Sequence, residues 1–222
     1  MHSYNFNFIG EKLTALRTGS LFWEEMGILC VSDLHLGKTH RLNRIGAGAL
    51  PPYENIDTLK RLQEDIHNTN PSCVICLGDS FDDPLAERSL STNEIASLKV
   101  MQKGRDWIWI SGNHDPYISY KYGNYLSSFS KSAITFRHIA LRGENGEISG
   151  HYHPKISVKL SNATVVRACF IADQNKIIMP AYGTYTGGMS VRSDEIKELV
   201  DPDAIVMLTG KKIRAIPYSS FF

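Results

Sequence analysis

Short apolar runs that break off at polar residues dominate the pattern along this chain. Ile28–Val31 stops just before Asp33, Val74–Leu77 before Asp79, and Trp107–Ile110 before Asn113. Each run is short and rich in β-branched or aromatic residues, which predicts buried strands. Between them the apolar spacing changes. Ile56, Leu59, Leu62 and Ile66 recur at three- and four-residue intervals after Pro51-Pro52, and Ile95, Leu98 and Met101 do the same after Ser91-Thr92. This predicts two helices, the second capped near Ser91 and stopped by Gly104. The alternation of strands and helices implies a largely parallel sheet here. Ligands of such sheets gather at the carboxyl ends of strands, where Asp33, Asp79 and Asn113 all fall.

The second half has a different texture. Ala133–Phe136, Glu147–Ser149, Ser157–Lys159, Thr164–Phe170, Ile177–Met179 and Ala204–Leu208 are short strand candidates, with Asp173-Gln174-Asn175 and Gly210-Lys211-Lys212 as hairpin turns. A second, mixed sheet packed on the first is the economical arrangement. No low-complexity linker and no repeat of domain-building length interrupts the chain, so residues 1–222 are expected to form one domain.

Composition changes this picture little. An apolar content of 42% supports a sizeable core, and 24 Lys+Arg against 23 Asp+Glu makes the chain neither basic nor acidic overall. A nucleic-acid partner is neither predicted nor excluded on that ground. The first residues, MHSYNFNFIGEKL, lack a basic segment followed by an apolar run, and no apolar stretch approaches the ~18–20 residues of a membrane span. Cys73 and Cys76 have metal or redox spacing, but they sit inside an apolar run and no second pair completes a zinc site. Buried, inert cysteines and a cytoplasmic setting with no membrane contact are the expectation.

The polar residues at the run ends change the picture most. In order they are Asp33-Leu34-His35, Gly78-Asp79, Gly112-Asn113-His114-Asp115, His138 and Gly150-His151-Tyr152-His153. Singly, each is unremarkable: a strand followed by Gly-Asp is often only a turn. Together they supply a mixed nitrogen and oxygen donor set, and they include five of the eight histidines in the chain. Two divalent metals about 3.5–4 Å apart can clamp a phosphate and hold a hydroxide for in-line attack. Asp79 suits the carboxylate shared by both ions. Asp33, His35 and His153 would complete one ion, and Asn113, His138 and His151 the other. Asn contributes a neutral oxygen, leaving positive character to attract phosphate. Such a set suits Mn, Fe or Zn better than Ca or Mg. His114 is not needed for the ligand count and is placed to assist the leaving oxygen, with Asp115 orienting its ring. His2, His40 and His67 have no such context.

The ordered motifs resemble the calcineurin-like metallophosphoesterase superfamily: Asp-X-His, Gly-Asp, Gly-Asn-His-Asp/Glu, a lone His, then Gly-His-X-His. The resemblance spans Asp33 to His153. It implies an α/β fold, a four-layer αββα sandwich of two mixed sheets flanked by helices, with the bimetal site at its edge and His114 as the catalytic histidine. A narrower likeness reaches further. Ser32-Asp33-Leu34-His35-Leu36-Gly37-Lys38, Leu50-Pro51-Pro52, Leu77-Gly78-Asp79-Ser80-Phe81, Gly150-His151-Tyr152-His153-Pro154, Arg167-Ala168-Cys169-Phe170 and Pro180 to Gly188 are similar to the ligase-associated metallophosphoesterases. These are bacterial proteins grouped with an ATP-dependent DNA ligase, a helicase and an exonuclease in DNA repair. That likeness implies a Mn-dependent DNA endonuclease with those proteins as partners. The chain departs from the group at Asp82, where relatives usually carry His, and at Ile139-Ala140, where they often carry Glu-Pro.

Around the metals, Lys38, Arg41 and Arg44 are positioned to meet substrate phosphates, or are solvated loop charges. Tyr182 and Tyr185, beside Gly187-Gly188, offer faces for single-stranded bases, or pack as core aromatics in a tight turn. No groove-reading helix motif is present, which argues against sequence-specific binding. The expected activity is therefore a bimetal phosphodiesterase acting on DNA, single-stranded for preference. Its rivals are a phosphatase or pyrophosphatase for a small nucleotide or lipid precursor, and a non-catalytic scaffold for repair proteins. The intact ligand set argues against the scaffold.

Overall fold

The computed structural model describes residues 2–48, 51, 53–116, 123–160 and 163–222; of the Leu50-Pro51-Pro52 triplet, Leu50 and Pro52 lie outside them. The chain opens with three antiparallel strands, β1 (Ser3–Phe8), β2 (Glu11–Leu16) and β3 (Leu21–Trp23). The apolar runs of the sequence predict no element in this segment. A period-2 signal is present: Phe6 and Phe8 alternate with Asn5 and Asn7, and Leu13 and Ala15, on either side of Thr14, bury one face.

β4 (Ile28–Val31), β5 (Cys73–Leu77), β6 (Asp106–Ile110) and β7 (Asn124–Leu126) then pair in parallel, so the first sheet runs β1 to β7 in sequence order. Parallel neighbours require crossovers. These carry α1 (Lys38–Arg44) and α2 (Glu54–Thr69) between β4 and β5, and α3 (Ala86–Ser89) and α4 (Thr92–Gln102) between β5 and β6. Both expected helices form. Ser91 caps α4, and its hydroxyl and the Glu94 carboxylate exchange hydrogen bonds with each other's backbone N–H. In α2, Leu59, Leu62 and Ile66 face the sheet, but Ile56 is exposed.

The second sheet is mixed. It comprises β8 (Ser128–Lys131), β9 (Ile134–Arg137), β10 (Glu147–Ser149), β11 (Lys155–Leu160), β12 (Ala163–Ala172), β13 (Lys176–Ile178), β14 (Ile205–Leu208) and β15 (Arg214–Pro217). Its spatial order is β15-β14-β12-β13-β10-β9-β8, with β11 on β12. Both expected hairpin turns are present, joining β12 to β13 and β14 to β15.

Three apolar clusters define four layers. The central one joins Phe8, Trp23, Ile75 and Ile110 of the first sheet to Phe136, Ile148, Phe170 and Met207 of the second. Leu59, Leu62, Leu98 and Met101 of α2 and α4 cover the outer face of the first sheet. Ile196 of the short helix α5 (Asp194–Lys197) and Tyr218 of the C-terminal turn cover the second. This is the αββα arrangement expected. Cys30, Cys76 and Cys169 are buried and unbonded, whereas Cys73 is only partly covered. Burial raises all four thiol pKa values, so none is a ready thiolate.

Candidate metal centre

The loops after β4 and β5 lie side by side at one edge of the first sheet. The His35 and Leu36 N–H groups donate to the Asp79 and Ser80 carbonyls at 2.9 Å each. Leu34 is buried between the flanking polar residues, which turns Asp33 and His35 to the same side. The loop after β6 adds Asn113 and His114, and the His114 N–H donates to Asp79 Oδ1 at 2.8 Å. The second sheet faces this edge with His138, directly after β9, and with His151 and His153, after β10.

Of three clustered donor groups, one is His35, Asp82 and His114, and the other two hold the expected ligands. Asp33, His35 and His153 each offer an atom within 4.8 Å of the others, and so do Asp79, His138 and His151. Asn113 Oδ1 joins the second group at 2.9 Å from His138 Nε2. His138 stands alone in the sequence, with no motif around it, and its setting in the fold is specific. Nδ1 donates to the Leu77 carbonyl at 2.8 Å, which leaves Nε2 directed at Asp79 Oδ2, 3.4 Å away, and at His151 Nδ1, 3.3 Å away. A backbone carbonyl on the far nitrogen is the usual anchor of a metal-binding imidazole. Its ring rests on Gly78, where a Cβ would come within 2.5 Å of it. A Cβ at Gly150 would likewise meet Asp33 Oδ2 at 2.5 Å. The glycines of two motifs are thus the room that ligands of other motifs occupy.

Several buried donor atoms fit a cation better than they fit each other. His153 Nε2 and Asp33 Oδ1 lie 3.0 Å apart in a poorly aligned pair, and His35 Nε2 is buried without a hydrogen-bond partner. Donors at about 2.1 Å from a common ion are separated by about 3 Å. Unsatisfied buried polar atoms are otherwise rare. The residues present therefore fit a pair of divalent ions.

Without ions, the charges are held by mutual pairing. Burial raises the Asp79 carboxyl, but the hydrogen bond and charge of His138 outweigh it and bring the pKa down to about 2. Burial lowers His138, while Asp79 and Asp33 push it up to about 9. Asp33 is lowered on balance, by His153, His138 and His35 against its burial. His151 is lowered by burial and by the neighbouring His138 charge.

His114 does not pair with Asp115 as expected. Its Nδ1 lies 3.0 Å from the Asp82 carbonyl oxygen, while the Asp115 carboxylate accepts the Phe81 and Gly112 N–H groups at 3.0 and 3.1 Å. The short loop after β6 turns the buried Asp115 side chain toward backbone, so it ties two site loops together rather than steering the imidazole. Burial and the Asp79 charge raise Asp115 to about 7.

Sequence reasoning noted Asp82 only as a departure, yet it is a hub. Its buried carboxylate lies 2.8 Å from His35 Nδ1 and 3.6 Å from Lys38 Nζ, and it accepts a hydrogen bond from Arg41. Arg44 pairs with Asp83. The three basic residues are thus held by neighbouring carboxylates, with Lys38 and Arg41 closest to the site. Tyr182 is core: its hydroxyl donates to Asp65 at 2.9 Å and Arg61 covers its ring. Tyr185 is 43% exposed. Ile139 is exposed and Ala140 buried, and neither displaces His138.

The profile of the calcineurin-like phosphoesterases matches residues 26–205, which include every convergent ligand. The chain belongs to the calcineurin-like phosphoesterase family. It is a metal-dependent phosphoesterase by that membership and by its clustered Asp and His donors. Among solved structures, a nuclease of Pseudomonas putida, MPE, superposes with a TM-score of 0.75 at 21% identity, over 96% of this chain and 100% of that one. That likeness extends the family fold across nearly the whole chain. No curated protein sequence matches it significantly. No helix among the described residues is long and apolar enough to cross a membrane.

Proposed function

We propose that this phosphoesterase is a two-metal phosphodiesterase that cleaves DNA. The observation that carries the reading is the convergence of two donor groups, Asp33/His35/His153 and Asp79/His138/His151, beside the Asn113 amide. In this reading Asp79 serves both ions. Two divalent ions there would neutralise phosphate charge and lower the pKa of a bound water. The donor set suits Mn, Fe or Zn, and the ligase-associated likeness favours Mn among them.

The chain's own groups do the rest. Nδ1–H of His114, donated to the Asp82 carbonyl, leaves Nε2 to face the leaving oxygen, and the doubly protonated imidazolium form of the ring would hand it the Nε2 proton. Lys38 and Arg41, immobilised on Asp82, present fixed positive charge to a phosphate entering over His35. Arg44 and Tyr185 lie further out, where they meet the flanking substrate. The P. putida neighbour is a nuclease by name, which supports a nucleic-acid substrate, and the ligase-associated motifs narrow this to DNA, for which a single strand is the preferred form in this reading. A cytoplasmic role in DNA repair beside a ligase, helicase and exonuclease follows from that likeness.

The test is hydrolysis of a generic phosphodiester and of a monoester with Mn, with single-stranded DNA in parallel, by wild type and Asp79→Ala. Diester and DNA cleavage that is lost by at least about 100-fold in the variant is the expected result. Cleavage of the monoester alone would replace this reading with a small-molecule phosphatase. Inactivity with every metal tried would replace it with a scaffold.

A further inference from the structure

The second sheet is electrically polarised along its strands. In register, Arg137 of β9, Ser149 of β10 and Ile178 of β13 lie abreast, and the ligands His138 and His151 follow just beyond. β12 runs antiparallel to β13, with Ile171 opposite Ile178. Residues before Ile171 therefore project past that line, toward the metal-centre edge. Cys169 pairs with Leu208 there, and Leu208 with Arg214. This edge holds Arg167, Lys211, Lys212 and Arg214, all exposed. The opposite edge holds Asp173, Asp201 and Asp203, tied together through the Asp201 N–H and the Asn175 and Gln174 amides. A chain with a net charge of only +1 has thus sorted its charges to two ends of one sheet.

The basic end is also shaped. Arg167, Lys211, Lys212 and Arg214 rim a shallow cavity of about 440 Å³ whose floor is Val158, Val165 and Leu208. Among the described residues none of the four meets a carboxylate, whereas Arg41, Arg44, Arg137 and Arg142 each do. Solvent-facing cations kept apart from acids, above an apolar floor, suit a chain of phosphates carrying flat bases. The cavity lies at the same edge of the sheet as the metal centre. Arg167 lies opposite Ile156, three residues along from His153, or about 10 Å. β14 lies three strand spacings from β10, about 14 Å across the sheet.

We propose that this basic edge is a track for the nucleic-acid backbone flanking the scissile phosphate, gripping it to one side of the metal centre. This rests on the nuclease reading. Binding is electrostatic and blind to sequence, because the cations sit on a sheet edge and a turn rather than on a groove-reading helix.

The test separates grip from chemistry. Fluorescently labelled single-stranded and duplex DNA are titrated in EDTA, across a range of salt, with wild type, with the triple variant K211Q/K212Q/R214Q, and with K12Q/K60Q/K103Q, which loses equal charge at exposed positions elsewhere. Hydrolysis of a small diester with Mn is measured on all three. The track predicts that K211Q/K212Q/R214Q binds DNA at least about 10-fold more weakly, with a log–log salt slope shallower by about 2, while its small-diester rate and the control variant's binding stay at wild-type values. Wild-type affinity in the triple variant, or an equal loss in the control, overturns it, as does a wild type that binds neither form of DNA. DNA binding without hydrolysis of any diester would instead overturn the phosphodiesterase reading and leave the track standing.

Discussion

Asp33, His35, Asp79, His151 and His153 have φ of 53°, 47°, 45°, 69° and 45°, in the left-handed region that side chains other than Gly rarely adopt. Such residues are held against a cost of about 1–3 kcal/mol each by their surroundings. Here the holding is visible in the hydrogen bonds between neighbouring site loops. The residue types were readable as ligands because only a few side chains bind metals, but this backbone state was not: nothing in Asp-Leu-His says that two of three residues reverse the usual sign of φ. The contacts of Asp82 were hidden for the same reason, since its partners come from α1 and from the loop after β4. One consequence is measurable. Asp79→Gly and Asp79→Ala should lose activity alike, yet in EDTA the glycine variant should be about 1 kcal/mol more stable to urea, because only alanine retains the strain. Equal stabilities would mean that the left-handed backbone is not under load. His114→Ala is expected to lower kcat on a diester by about 10²–10⁴-fold while Mn binding, followed by calorimetry, stays unchanged. A loss of metal affinity would instead make His114 a ligand.

At the scale of elements, what was legible had a strong local cause. β4, β5 and β6 are continuous apolar runs because both faces of their sheet are covered, and α4 carries its own start signal in Ser91 and Glu94. Where the cause is tertiary, reading fell short. β1 to β3 alternate apolar and polar residues weakly, and their pairing is decided by packing against the second sheet. Ile56 has helical spacing but faces outward, because the buried face of α2 runs through Asn55, Thr58, Leu59 and Leu62 and Ile56 lies off it. The capping box gives a prediction free of the active site. Ser91→Ala should destabilise the protein by about 1 kcal/mol in urea unfolding without changing diester turnover. If turnover falls with stability, α4 is coupled to the site loops more tightly than its position implies.

At the scale of the molecule, the metal centre is a seam. Asp33, Asp79 and Asn113 come from strand ends of the first sheet, and His138, His151 and His153 from the second, so ions held by the proposed ligands would staple the two layers. In their absence the Asp79–His138 pair bridges the same seam. The two states respond oppositely to pH. Asp79 is lowered to about 2 in the fold, so its share of the stability is present above the ordinary carboxylate pKa and lost as pH falls through about 2. His138 is raised to about 9, so its share is present below the ordinary histidine pKa of 6.5 and lost as pH rises through about 9. The deprotonation that weakens the metal-free protein over that interval frees Nε2 for an ion, so metal binding must strengthen across it. Mn at about 100 times its Kd adds about 2.7 kcal/mol, or about 5–10 °C in Tm for a chain of this size. At fixed Mn, the Tm difference between loaded and EDTA-treated protein should therefore widen from pH 6.5 to 9, with the EDTA-treated curve falling. A pH-independent difference would mean that His138 is neutral without metal, and that the seam is held by apolar contacts between the sheets alone.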